Sequence, residues 1–162
     1  MLIYFVDDYM HKDESMDQQE TYEKSLSRGD RVLSDGENKK SNVMIVEDDP
    51  FIGDILLNVL AGHFTSYKVI NTAEADEIFL QQKIDALILD VMLPGKDGIT
   101  YLKELRQRPE CKDLIVILAS NLGQKEEIKR GMDAGADDYL IKANYLPEEI
   151  AQRVRMLIDG NS

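Results

Sequence analysis

The sequence lacks the residues on which disulfide-stabilised and zinc-stabilised folds depend. Its 162 residues include one cysteine, Cys111, so no disulfide can form within the chain, and no cluster of Cys and His has the spacing of a zinc site. A single cysteine is typical of a reducing compartment, and we expect a cytoplasmic protein. A chain of this length suits one domain with its own hydrophobic core and at most a tail.

Long apolar runs and an excess of positive charge are also missing. The apolar run Leu2 to Val6 is too short, and its flanks too acidic, for a signal peptide, and no later segment approaches the length of a membrane span. The 19 Lys and Arg residues are outnumbered by 31 Asp and Glu, for a formal net charge of −12. Such a surface does not neutralise a phosphate backbone. We therefore expect a soluble protein that contacts neither nucleic acid nor membrane directly.

The first 40 residues differ in composition from the rest. They are mostly polar after Met10 and carry 10 acidic and 6 basic residues, which leaves 21 acidic and 13 basic for residues 41–162. Such a segment cannot bury enough apolar surface to offset the entropy lost on ordering. We expect residues 1–40 to be a flexible arm and residues 41–160 to form the folded domain.

From residue 42 onward, short apolar runs alternate with segments whose apolar residues recur at helical spacing. The predicted strands are 42–46, 67–70, 86–89, 114–118 and 139–141. The predicted helices carry Phe51 to Leu60, begin at Asn71, begin at Gly98, span Gln124 to Ala134, and run from Pro147 to about Ile158. Continuous apolar strands separated by single helices indicate a parallel sheet covered on both faces. The sequence therefore predicts an α/β, doubly wound fold with five parallel strands and five helices.

Charged and hydroxyl side chains occur at the ends of four predicted strands. They are Glu47, Asp48 and Asp49 after the first strand, Asp90 after the third, Ser120 after the fourth and Lys142 after the fifth. In doubly wound sheets, ligands bind at the carboxyl ends of the strands. We therefore expect these side chains to meet at one edge of the sheet.

Each of these residues has a structural interpretation when it is taken alone. The acids and the serine could cap turns or helices, and the lysine could be solvent-exposed. Their coincidence at one sheet edge favours a shared chemical role. A carboxylate can form an acyl phosphate, neighbouring acids can hold Mg²⁺ through oxygen, and a lysine can offset the charge that develops on a transferring phosphoryl group. Together they indicate phosphoryl transfer to a carboxylate.

The order of the motifs resembles the bacterial response-regulator receiver domain over about residues 42–160. The matching segments are Ile45-Val46-Glu47-Asp48-Asp49-Pro50, Leu89-Asp90-Val91-Met92-Leu93-Pro94-Gly95-Lys96-Asp97-Gly98, Leu118-Ala119-Ser120 and Gly135-Ala136-Asp137-Asp138-Tyr139-Leu140-Ile141-Lys142. The resemblance implies the strand order 2-1-3-4-5 of a chemotaxis-regulator-like fold. It also implies a phosphoacceptor switch in a two-component system or phosphorelay.

The resemblance gives the strand-end residues their expected roles. It implies that Asp90 is phosphorylated, that Lys142 reaches toward the phosphoryl group, and that Ser120 and Tyr139 are the switch residues. The implied magnesium ligands are Glu47, Asp48, Asp90 and the backbone carbonyl of Met92. In the family the acidic pair occupies the first two positions after the strand, so we expect Asp49 to cap the next helix.

The implied partners are a histidine kinase or histidine phosphotransfer protein and a downstream protein target. We expect a stand-alone receiver, monomeric or forming a phosphorylation-dependent homodimer, that catalyses only its own phosphorylation and dephosphorylation. An aspartyl-phosphate-forming phosphatase is an alternative, but its usual second Asp, two residues after the nucleophile, is Met92 here. A receiver-like module that takes no phosphate is disfavoured by the intact acids, serine and lysine. The sequence identifies neither the cognate kinase nor the output.

One position departs from the family pattern beside the lysine. Ala143 follows Lys142, where the family usually has proline, often after a cis bond. A cis bond before a residue other than proline costs about 3 kcal/mol, so we predict a trans Lys142–Ala143 bond. The loop that follows is then expected to take a different path.

The residues that flank the approach of water to the phosphorus are apolar. In receivers they lie two positions beyond the acceptor and the switch serine, and here they are Met92 and Leu122. Neither can orient a water by hydrogen bonding, and Asn121 narrows the opening. We therefore expect self-dephosphorylation over minutes to hours rather than seconds.

Overall fold

The computed structural model of the chain describes residues 40–160, so the predicted arm lies outside this part apart from Lys40. The strands are β1 (Asn42–Val46), β2 (Thr65–Val69), β3 (Ala86–Asp90), β4 (Ile115–Ser120) and β5 (Asp138–Ile141). The helices are α1 (Pro50–Ala61), α2 (Thr72–Gln81), α3 (Gly98–Leu105), α4 (Lys125–Asp133) and α5 (Pro147–Ile158). Short 3₁₀ helices span Pro109–Cys111 and Lys142–Asn144. In the described range, no helix combines the length and apolar character needed to cross a membrane.

The five strands form one parallel sheet in the order β2-β1-β3-β4-β5. The predicted doubly wound fold, its five helices and its strand order are therefore confirmed. Strand β3 lies at the centre and is buried along its whole length, whereas the edge strand β2 is more polar. Because the chain order reverses between β1 and β3, the sheet opens a crevice at their carboxyl ends.

Side chains alternate between the two faces of the sheet and build two cores. On one face, Val43 and Ile45 of β1 pack with apolar residues of α1 and α5. On the other, Met44 and Val46 pack with residues of α2 and α3. Every second residue of a strand points to the same face, which is why a continuous apolar strand is needed when both faces are covered.

Three of the helices begin at side-chain caps. Asp49 accepts hydrogen bonds from the backbone N–H groups of Phe51 and Ile52 at the start of α1. Asn71 caps α2, and Asp97 caps α3 by accepting from the N–H of Thr100. Such caps satisfy amides that lack a partner within the helix. Asp49 thus takes the capping position that we predicted for it.

Arg106, just after α3, fixes the beginnings of β4 and β5. Its guanidinium donates to the carbonyls of Leu114 (2.7 Å) and Gly135 (2.9 Å) and to the carboxylate of Asp137 (2.9 Å). The same carboxylate accepts from the N–H of Val116 at 2.7 Å. The planar fork of arginine satisfies acceptors from several segments at once, which lysine cannot do in the same geometry.

We predict that Arg106→Ala lowers the free energy of unfolding by about 2 kcal/mol, because several partly buried acceptors lose their donor. Urea denaturation followed by circular dichroism measures this. Lys103→Ala, which removes an exposed cation from the end of α3 just before Arg106, is the control and should change stability by no more than about 0.5 kcal/mol. Equal effects of the two substitutions would show that Arg106 does not hold the strands.

Candidate functional site

Three carboxylates meet at the carboxyl ends of β1 and β3. The side chains of Glu47, Asp48 and Asp90 each offer an oxygen, and these oxygens lie within 4.8 Å of one another. The register that pairs Val46 with Leu89 brings the two strand ends side by side. Glu47 and Asp90 are buried, whereas Asp48 is exposed. Solvent therefore reaches the cluster from the side of Asp48.

Lys142, directly after β5, reaches the two buried acids. Its Nζ lies 2.5 Å from Oε2 of Glu47 and 2.8 Å from Oδ2 of Asp90. The three side chains are only 8%, 3% and 7% exposed, respectively. Burying any of these charges alone would be unfavourable, because it would lose its hydration. The hydrogen bonds between the three side chains compensate for this loss.

The cluster has more acidic groups than basic ones. Burial raises the pKa of Glu47, an effect that the hydrogen bond from Lys142 opposes. Burial disfavours the charged form of Lys142, but its hydrogen bonds to Asp90 and Glu47 outweigh burial and raise its pKa. Counted formally, three carboxylates and one ammonium carry a net charge of −2, which one divalent cation would balance.

The donor set fits magnesium. All the candidate ligands are carboxylate oxygens, which Mg²⁺ prefers, and the exposed side leaves room for water ligands. The backbone N–H of Met92 donates to Oδ1 of Asp90 at 2.9 Å, which fixes the orientation of that carboxylate. Asp49 is not part of the cluster. Coordination by the carbonyl of Met92 remains a prediction.

Ser120 and Tyr139 lie on the neighbouring strands. Ser120 is fully buried at the end of β4, where the adjacent Ala119 pairs with Asp90. Its Oγ accepts a hydrogen bond from the N–H of Leu122 at 3.1 Å. The hydroxyl of Tyr139 lies 3.3 Å from the carbonyl oxygen of Leu122 and 3.2 Å from Oε2 of Glu127. Both predicted switch residues thus contact Leu122 in the loop after β4, and Tyr139 also contacts Glu127, which sequence reasoning missed.

Gly98 packs against the backbone of Asp90, although the sequence indicated only that Gly98 begins a helix. A Cβ at this position would lie 2.1 Å from the carbonyl oxygen of Asp90 and 3.1 Å from Cα of Val91. The N–H of Gly98 donates to the carbonyl of Val91 at 2.9 Å. Only glycine allows α3 to start this close to the end of β3.

The loop after Lys142 begins at Ala143 and contains a short helical turn. No cis peptide bond occurs within residues 40–160, so the predicted trans Lys142–Ala143 bond is confirmed. Lys142–Asn144 forms one turn of 3₁₀ helix, and Leu146, which follows, is exposed. With this loop, the ammonium of Lys142 contacts both buried acids.

Comparisons with known proteins agree with this geometry. The family model for the response regulator receiver domain matches residues 43–155. The phosphate regulon transcriptional regulatory protein PhoB of Rhizobium meliloti is 40% identical over 117 residues, which cover 71% of this chain and 51% of that protein. The chain spans about half the length of the curated relatives it matches.

Solved structures show the same similarity. The Francisella response regulator 1452 receiver domain matches with a TM-score of 0.68 and 27% identity, over 75% of this chain and 99% of that chain. The BeF3-activated receiver domain of DrrB, a Thermotoga maritima protein, matches with a TM-score of 0.64 and 25% identity, over 74% of this chain and 98% of that chain.

We predict that Asp48→Ala weakens Mg²⁺ binding by roughly tenfold or more, since the charge of the ligand set determines affinity. Asp49→Ala is the matched control, because it removes a neighbouring carboxylate that caps α1 instead. Isothermal titration with MgCl₂ measures both. Equal losses of affinity would mean that the acidic pair is wrongly aligned.

Proposed function

Because the chain belongs to the response regulator receiver domain family, we propose that it is a phosphoacceptor switch of a two-component system or phosphorelay. In this proposal Asp90 receives a phosphoryl group from a histidine kinase or a histidine phosphotransfer protein. The reaction depends on Mg²⁺. The observation that carries the proposal is that the buried Lys142 forms ion pairs with both Glu47 and Asp90. The exposed Asp48 completes the acidic cluster beside them.

The arrangement suits transfer to a carboxylate oxygen. An oxygen of Asp90 forms a bond to phosphorus as the bond from phosphorus to the donor's imidazole nitrogen breaks, and the electron pair of that bond stays on the nitrogen. Lys142 and the buried hydroxyl of Ser120 are placed to hydrogen-bond phosphoryl oxygens. A bound Mg²⁺, held by Asp48, Asp90 and the predicted carbonyl of Met92 with Glu47 nearby, would offset charge on the transferring group.

The consequence of phosphorylation is a change in a conformational equilibrium. Ser120 moves toward the phosphoryl oxygens, and this favours an inward position of Tyr139, in which the ring packs against α4 and the hydroxyl meets the loop after β4. A ligand shifts such an equilibrium only through a difference in affinity for the two states. The surface that changes is formed by α4, β5 and α5, where a downstream protein or a second copy would bind.

A regulatory role is favoured over turnover of external substrates. Aspartyl-phosphate-forming phosphatases usually carry a second Asp two residues after the nucleophile, and Met92, 58% exposed, holds that position here. We therefore propose that chemistry is limited to phosphorylation and dephosphorylation of Asp90 in the cytoplasm. Incubation with purified histidine kinases of the same organism would identify the donor by the fastest transfer.

We predict that acetyl phosphate with Mg²⁺ labels the protein and that Asp90→Asn abolishes the label, since an amide cannot form the acyl phosphate. Intact-mass spectrometry measures the added phosphoryl group. Asp49→Asn is the matched control, because asparagine keeps the helix cap, and it should label like the unmodified protein. Full labelling of Asp90→Asn would place the acceptor elsewhere.

We also predict slow loss of the phosphoryl group, because Met92 and Leu122, 58% and 41% exposed, cannot hold a water in line with phosphorus. Replacing both, by Met92→Asn and Leu122→Glu, should speed the decay about tenfold, less than a fully positioned base provides. The decay of labelled protein after removal of the donor measures this. Met156→Asn on α5 controls for surface polarity, and equal decay in all three proteins would assign Met92 and Leu122 a purely structural role.

A further inference from the structure

The ring of Tyr139 lies in a slot on helix α4. A Cβ at Gly131 would come within 3.0 Å of Cδ2 of Tyr139 and 2.6 Å of Cδ1 of Leu118. The first distance is tighter than an ordinary van der Waals contact and the second is too short for a real Cβ, so any side chain at this position would force Tyr139 and Leu118 to shift. Leu118 and Tyr139 are register partners in β4 and β5, and the half-buried ring of Tyr139 lies between the helix and the sheet.

Glu127 closes one end of this slot. It precedes Gly131 by four residues, so both lie on the same face of α4. Its Oε2 is 3.2 Å from the Tyr139 hydroxyl, and the second acceptor, the carbonyl of Leu122, is at 3.3 Å. Burial raises the pKa of Tyr139; the Ser120 hydroxyl opposes this rise, and the nearby Glu127 carboxylate adds to it. The hydroxyl therefore keeps its proton at neutral pH and donates it, most strongly to the charged acceptor.

Leu122 connects the slot to the buried end of β4. Its N–H donates to Oγ of Ser120, and its carbonyl faces the hydroxyl of Tyr139. A continuous hydrogen-bonded path thus joins Ser120, Leu122, Tyr139 and Glu127. If Ser120 moves, its hydrogen bond to Leu122 changes, and with it the Leu122 carbonyl as an acceptor for Tyr139. Glu127 lies on α4 and stays in place as the second acceptor.

We propose that Glu127 and Gly131 hold Tyr139 in its inward position and thereby bias the switch toward the state that binds the phosphoryl group. This rests on the proposed function, under which inward Tyr139 accompanies phosphorylation. Conformation and ligand binding affect each other reciprocally. Contacts that stabilise the inward position of Tyr139 therefore also raise the affinity for ligands that bind the inward state. Removing the contacts of Glu127 or Gly131 with Tyr139 should weaken the binding of the phosphoryl mimic beryllofluoride, although no residue of the acidic cluster is changed.

The position of Tyr139 is tested first, on the full chain without added ligand. NMR on protein labelled at Tyr and Gly measures the nuclear Overhauser effect between the Gly131 α-protons and the Tyr139 ring, whose signals are identified by their loss in Tyr139→Phe. We expect a strong effect in the unmodified protein, a weak one in Glu127→Ala and an intermediate one in Glu127→Gln. Glu126→Ala, which removes the neighbouring exposed carboxylate of the same turn, should leave it unchanged. An unchanged effect in Glu127→Ala overturns the proposal.

The affinity for beryllofluoride in the presence of Mg²⁺ is tested second. We expect roughly fivefold weaker binding by Glu127→Ala, which corresponds to about 1 kcal/mol, the excess of a charged hydrogen bond over a neutral one. Gly131→Ala should also bind more weakly, although alanine favours the helix itself, and Glu126→Ala should bind normally. Unchanged or tighter binding by Glu127→Ala overturns the proposal. If the unmodified protein binds no beryllofluoride, the proposed function fails, and the Overhauser measurement alone then decides whether the slot holds Tyr139.

Discussion

One lysine shared by two buried carboxylates is the constraint on which the rest of the structure depends. Lys142 comes from the end of β5, while Glu47 and Asp90 come from the ends of β1 and β3. A buried charge that loses its partner is strongly destabilising, so these three strand ends must meet. The parallel sheet with β1 and β3 adjacent makes this possible. At the opposite edge, Arg106 contributes by fixing where β4 and β5 begin.

The same interaction explains the proposed chemistry. Lys142 balances only part of the negative charge, and the exposed Asp48 leaves the cluster open to a hard divalent cation. In the proposed transfer, Asp90 would therefore be held in place before any donor arrives, which would lower the entropic cost of orientation. The neighbouring strand β4 carries Ser120, so the proposed switch would transmit a change at Asp90 to the loop before α4. The proposed phosphoryl transfer and the proposed conformational switch thus use the same edge of the sheet.

Much of the fold and of the site could be predicted because their signals are local. Apolar runs, helical spacing and helix-start residues indicated all ten helices and strands, and the residues directly after each strand indicated the acidic cluster and Lys142. The contacts of Glu127, Gly98 and Arg106 could not be predicted, because they depend on how the helices pack against the sheet. In the sequence alone, Glu127 is one of several charged residues on a polar helix, and Gly98 indicates only where a helix begins. The predicted arm lies outside the described residues, and the predicted site roles remain to be tested.

The most direct test of the central claim is a crystal structure of the protein with Mg²⁺ and beryllofluoride. The account predicts beryllium bonded to an oxygen of Asp90, the Lys142 ammonium within hydrogen-bonding distance of a fluorine, and the metal bound by Asp48 and Asp90. Beryllofluoride on a different carboxylate, or Lys142 turned away from a group bound at Asp90, would contradict it.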